Sequence, residues 1–235
     1  MNSSRQIKTL ALVCVCLCSN VIVAQSKQER AVKTESVSIS MYNSTKNKEA
    51  LELYGEASEK HKAGNFKGAI KLYEKAVDKD PNFVEAYDDM ALSYRKLGDL
   101  KNAIKYYERS IELYPDGTMA HMNLGVVYGI QKEYAKAITQ YEKVQKINPE
   151  DPEGYYGLIN IYLMLGETKN AIKSATKTLE IYEATNNQYL SEAQYLLGLS
   201  YYYDGDKKNA KTYLEQAKKS GLQIDPKIAN EVGIK

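Results

Sequence analysis

The sequence predicts an all-α fold built from repeated helical units, and three observations carry that expectation. Alanines recur at a fixed step: Ala69, Ala103, Ala137 and Ala171 are each 34 residues apart, and Ala210 follows 39 further on. Pro81, Pro115 and Pro149 keep the same 34-residue step. Apolar residues recur at i, i+3 and i+7, the stripe of an amphipathic helix. A period of this size marks stacked supersecondary units, each burying its oily face against its neighbours.

The repeating segments are GNFKGAIKLYEKAVDKDP (64–81), GDLKNAIKYYERSIELYP (98–115), KEYAKAITQYEKVQKINP (132–149), GETKNAIKSATKTLEIYE (166–183) and GDKKNAKTYLEQAKKSGL (205–222). They resemble the second helix and preceding turn of a tetratricopeptide repeat. The resemblance implies a right-handed α-solenoid superhelix of antiparallel helix pairs, A and B. It runs over 50–222 as repeats 50–83, 84–117, 118–151, 152–190 and 191–222.

Each size-restricted position in that pattern has a mechanical reason within the sequence itself. Small residues fall where helix A must cross helix B closely: Ala57, Ala91, Gly125 and Gly198 on A, and Ala69, Ala103, Ala137 and Ala210 on B. Large residues fill the gaps between them, as Tyr87, Met90 and Tyr94, then His121, Leu124 and Tyr128, then Tyr155, Leu158 and Tyr162. Gly64, Gly98, Gly166 and Gly205 sit where helix A ends in a left-handed turn. Asn65, Asp99 and Asp206 follow as N-caps of helix B. Repeat three puts Lys132 in the place of the turn glycine, which predicts mild strain. Repeat four has Ile159 where a small residue belongs and Ala175 where a bulky one does, a local volume swap. It lacks the closing proline, so its B helix is expected to run on and turn at Asn186-Asn187.

The flanks read differently. Residues 1–24 hold two positive charges, Arg5 and Lys8, then the apolar run LALVCVCL from Leu10 to Leu17, and Ile22 and Ala24 at −3 and −1 of a cut before Gln25. That is the pattern of a secretory signal peptide, so the expected location is the periplasm or the cell surface. Val13, Val15 and Leu17 precede the three cysteines, which argues against lipidation. Residues 25–49 are polar, without a sustained apolar period, and read as a flexible linker. Residues 223–235 read as a short capping helix and tail, with Asp225-Pro226 opening a helix over 227–232.

Composition removes much of the catalytic repertoire. All three cysteines lie in the first 18 residues, and only His61 and His121 offer imidazoles. His121 falls on the packing stripe and reads as a core residue; His61 reads as exposed. No phosphate-binding, hydrolase or metalloprotease motif occurs. No cofactor and no metal are expected, and the chain is not expected to be an enzyme. Removing residues 1–24 takes Arg5 and Lys8 away and lowers the net charge from +2 to 0. A neutral chain lacks the long-range field that gathers nucleic acid.

What remains is a surface. By family resemblance, A-helix positions 2, 5, 9, 12 and 13 line a concave groove. In repeat two these are Glu85, Asp88, Leu92, Arg95 and Lys96, a mostly polar face. In repeats three to five they are mainly apolar, and Met122, Val126, Ile130, Tyr156, Asn160, Leu163, Tyr195, Leu199 and Tyr202 are the candidate partner contacts. The family's Lys/Asn/Arg clamp for a chaperone's terminal carboxylate is missing, since Tyr54, Ser58, Asp88, Leu92 and Met122 occupy its positions and Asn123 alone is compatible. The expected partner is another envelope or secreted protein, presenting an extended segment or an amphipathic helix. A glycan stacking on the tyrosines, a second copy of the chain, or self-burial of the patch remain as alternatives.

Overall fold

A computed structural model describes residues 44–185 and 188–235. The signal segment, most of the linker and the Asn186-Asn187 turn lie outside the described residues. Those described form eleven helices and no strand. They are α1 (Lys48–Lys62), α2 (Phe66–Lys79), α3 (Val84–Lys96), α4 (Leu100–Leu113), α5 (Thr118–Ile130), α6 (Tyr134–Ile147), α7 (Pro152–Leu165), α8 (Thr168–Ala184), α9 (Leu190–Asp204), α10 (Lys207–Lys219) and α11 (Pro226–Val232). They divide into two compact units, 44–140 and 141–235, with the division inside α6.

In the first unit, α1 pairs with α2 and α3 with α4, while α2 packs on α3 and α4 on α5. The closest crossings use the small residues: Ala57, Ala69, Ala91 and Ala103 have no exposed surface. Tyr73, Phe83, Tyr87 and Met90 fill the space around them. Phe83 stacks obliquely on Tyr54 at 5.0 Å, and Tyr106 lies nearly parallel to Tyr94 at 5.4 Å. Each buried aromatic contributes about 2 kcal/mol through the area it removes from water.

The second unit pairs α7 with α8 and α9 with α10, and α8 also packs on α9. Ile159 and Ala175 are both fully buried, on the paired helices α7 and α8. In α9, a Cβ at Gly198 would stand 2.7 Å from Leu214 Cγ, so only glycine lets α10 approach this closely. The fourth B helix continues to Ala184, 17 residues in all.

Helix ends follow local chemistry. Asn65, Asp99 and Asp206 each accept a hydrogen bond from a backbone N–H in the first turn of the B helix. Gly64, Gly98, Gly166 and Gly205 have φ between 73° and 89°, and Lys132 takes the same left-handed turn at φ 62°.

Two sequence expectations change here. The last residues of the predicted linker are part of the fold: Ser44 N donates to Glu85 Oε1 at 3.2 Å, its hydroxyl bonds the other Glu85 oxygen, and it accepts from Val84 N at 3.0 Å. Thr45 is buried and bonds Asp80, and the Asn47 amide donates to Lys79 O at 3.0 Å. Ser44 therefore caps the start of α3, where Phe83 offers no side-chain cap of its own, while Thr45 and Asn47 tie the segment to the end of α2. His61 is not simply exposed. It is half-buried, edge-on to Phe66 at 5.0 Å, and bonded through Nδ1 to Ser93 Oγ at 2.7 Å.

Candidate functional site

In the first unit the candidate contacts lie on α5. Met122, Val126 and Ile130 are spaced by four residues, so they form one stripe along the helix. Met122 and Val126 are half-buried and Ile130 is 54% exposed, a large apolar side chain left in water. The opposite side of α5 is committed to the core through Ala120, His121, Leu124 and Tyr128. His121 is the core residue that its place on the stripe predicts: Nε2 donates to Pro115 O at 3.0 Å and Nδ1 lies 2.7 Å from the Gln140 side chain.

In the second unit the outcome divides. Tyr156 and Asn160 on α7 are half-buried. Leu163, Tyr195 and Leu199 are only 7%, 4% and 5% exposed, so the expectation that they face a partner is corrected. They are packing residues. For Tyr195 and Leu199 the reason is geometric: α9 is flanked by α7, α8 and α10 together, and a helix apolar on every side is buried on every side. Tyr202 is only partly exposed, and its hydroxyl donates to Glu231 Oε2 of α11 at 2.7 Å. Helix α11 buries Ile228 and Val232, and α10 reaches the chain end through Lys218 Nζ on Lys235 O at 2.6 Å.

Repeat two holds what sequence reasoning missed. Its polar face is not simply solvated. Glu85 is buried beneath Ser44, and Asp89 accepts from Tyr54 at 2.6 Å. The Asp88 carboxyl lies inside, although the residue as a whole is partly exposed, and burial pushes it up to about 7 against a Ser110 side-chain hydrogen bond that lowers it, with Asp89 and Glu85 adding to the rise. Burial also holds the Tyr107 hydroxyl well above its ordinary range. His61 moves the other way, down to about 4, through burial and then the Lys96 and Arg95 charges. No spacing rule finds the Asp88 cluster, because polar residues at these positions also suit an open surface.

Among the described residues no group of three or more histidine, cysteine or acidic side chains is placed to hold a metal. None of their helices is long and apolar enough to cross a membrane.

Paired helices that recur at a fixed step, with small residues at the crossings and a left-handed turn within each pair, define a helical-hairpin repeat protein. Family models described as tetratricopeptide repeat match residues 89–152 and 131–184, residues 72–105, and residues 192–220. The chain belongs to the tetratricopeptide-repeat proteins. No curated protein matches it by sequence. A crystal structure of MamA is 27% identical, with a TM-score of 0.62, covering 69% of this chain and 92% of that one. MamA from Desulfovibrio magneticus RS-1, from residue 41 to the end, is 19% identical with a TM-score of 0.66, covering 76% of this chain and all of its own. TTC0263, a thermophilic tetratricopeptide-repeat protein of Thermus thermophilus, is 17% identical with a TM-score of 0.56, covering 78% of this chain and 97% of that one. The latter two share the fold alone.

Proposed function

We propose that this chain is an exported, non-catalytic scaffold that docks another envelope or secreted protein. The carrying observation is the stripe of Met122, Val126 and Ile130, whose outermost member is 54% exposed while the opposite side of α5 is packed. Apolar area held in water at a helix surface is typical of a recognition site, and methionine adapts to differing partner shapes. The partner is read as an amphipathic helix or extended segment, anchored by apolar side chains. Tyr156 and Asn160 are the second unit's candidate contacts.

Export is read from residues 1–24 alone. Mass analysis of the protein from the extracytoplasmic fraction should find a chain beginning at Gln25. For docking, whole-cell crosslinking followed by mass spectrometry should identify one partner, and Ile130→Asp with Val126→Asp should remove it while leaving helicity intact. Capture that survives both substitutions overturns the reading. Concentration-dependent dimerisation by light scattering, abolished by the same substitutions, would instead make a second copy the occupant and overturn it too.

A further inference from the structure

Ser44 and the residues after it give the entry of the chain a direction. Asn47 caps α1 and its amide donates to Lys79 O at the end of α2, while Ser44 caps α3. Read backwards, the chain thus steps from the start of α1 to the start of α3 within residues 44–47. Helix α3 contacts both α1 and α5. A further step with the same heading leads to the start of α5, where the stripe begins at Met122.

The residues that would take this step carry a matching pattern. Val37, Ile39 and Met41 alternate with Ser38 and Ser40, and no other such alternation occurs within 25–43. The run is too short to be a sustained period, yet alternation puts every apolar side chain on one face of an extended chain. Alternate residues of an extended chain stand about 6.6 Å apart. Met122, Val126 and Ile130, four residues apart on a helix, stand about 6 Å apart. Three apolar side chains therefore meet three at nearly one spacing. Neighbouring helix axes lie about 8–10 Å apart, and the steps from Ser44 back to Met41 span about 10 Å. The register follows: Met41 falls on Met122, Ile39 on Val126 and Val37 on Ile130.

We infer that residues 37–43 are the resting occupant of the α5 stripe, an intramolecular strap that an incoming partner must displace. The inference rests on the reading of that stripe as a docking surface and adds its regulation. A segment tethered a few residues from its site has an effective concentration of order 1 mM. If the free segment binds with a Kd of about 0.1 mM, the tethered one covers the stripe about ten to one and weakens a partner about ten-fold.

Disulfide trapping in the purified full chain tests occupancy, with Cys14, Cys16 and Cys18 replaced by serine so that no native thiol remains. Mild oxidation should join Ile39→Cys to Val126→Cys within one molecule. Ser40→Cys, on the opposite face of the alternation, should join Val126→Cys about ten-fold more slowly. Equal trapping of the two, no trapping, or a disulfide between two molecules overturns the strap. In whole-cell crosslinking, Val37→Asp with Ile39→Asp should raise partner capture about ten-fold. Capture left unchanged by that pair, where Ile130→Asp with Val126→Asp abolishes it, also overturns the strap. If trapping shows no preference while the stripe substitutions still block capture, the strap falls and the scaffold stands. If trapping is selective while capture ignores the stripe substitutions, the segment covers the stripe and the docking reading falls.

Discussion

His61 Nδ1 donates to Ser93 Oγ at 2.7 Å, and the Ser93 hydroxyl in turn donates to Asp89 O at 2.8 Å. Because the serine's only hydrogen is spent on Asp89, the imidazole must carry its proton on Nδ1. The chain ties the last turn of α1 to the middle of α3. Burial and the nearby Lys96 and Arg95 charges then hold His61 down to about 4. In the unfolded chain His61 binds its proton at its ordinary value near 6.5, so between pH 6.5 and 4 the unfolded state holds more protons. Stability from this group is present above pH 6.5 and lost as pH falls through that window. Chemical denaturation from pH 4.5 to 7 should show it as a slope that His61→Gln flattens.

Asp88 works in the opposite sense. Its folded-state value of about 7 lies above the ordinary 3.8, so over that interval the folded chain holds the extra proton. The contribution is present below pH 4 and lost as pH rises toward 7. Asp88→Asn keeps the size and removes the ionisation. The variant should match the natural chain near pH 4 and exceed it by a few kcal/mol at pH 8. In that background the His61 slope should stand clear of the opposing Asp88 contribution. Equal stabilities at pH 8 would mean that Asp88 finds a partner when ionised.

The Ser44 clamp spans 41 residues of sequence to reach Glu85. Ser44→Ala deletes the acceptor for the Val84 N–H and the hydroxyl donor to buried Glu85. Loss of a helix cap costs about 1 kcal/mol, and a weakened buried carboxylate adds to it. Ser44→Asp keeps an acceptor at the helix start but sets like charge against Glu85. It should therefore be the worse of the two. Thermal unfolding of both variants orders them.

Glycine at 198 is dictated by the facing leucine. Gly198→Ala puts a methyl 2.7 Å from Leu214 Cγ and 3.0 Å from the Leu214 backbone nitrogen. The side chain can rotate, but the backbone of α10 must move. A cost of about 1–3 kcal/mol is expected despite alanine's better helix propensity. Gly55, with open space around its Cβ position, serves as the control. Gly55→Ala on exposed α1 should stabilise by about 0.5–1 kcal/mol.

How much of this was written in the sequence depends on the range of each interaction. Ala69, Ala103, Ala137, Ala171 and Ala210 announce the hairpins because a helix crossing demands small residues locally, and all five are fully buried. Asn65, Asp99 and Asp206 announce their caps because the bonds span three residues. The Ser44–Glu85 clamp gives no such signal, since serine and glutamate are common and far apart in the chain. The α5 stripe was legible as an apolar A-helix face. The burial of Tyr195 and Leu199 was signalled by an A helix apolar all round, yet groove position alone reads them as exposed. Asp88 and Arg95 look like a solvated face until α4 is seen to lay Tyr107 and Ser110 against them.

Lys132 makes the last test, because it repeats Gly98 at the 34-residue step without being glycine. Its φ of 62° lies among left-handed turns otherwise occupied by Gly64, Gly98, Gly166 and Gly205. A side-chain-bearing residue there loses about 1–2 kcal/mol to the clash of Cβ with the following carbonyl. Glycine relieves that clash but gives the unfolded chain more freedom, which returns about 0.5–1 kcal/mol. Lys132→Gly should therefore stabilise by about 0.5–1 kcal/mol. Gly98→Lys, the same exchange one repeat earlier, should destabilise by a similar amount. The pair shares one backbone conformation, so unequal magnitudes would assign the difference to the Lys132 side chain. If Lys132→Gly lowers the unfolding midpoint, the left-handed turn is not a source of strain in repeat three.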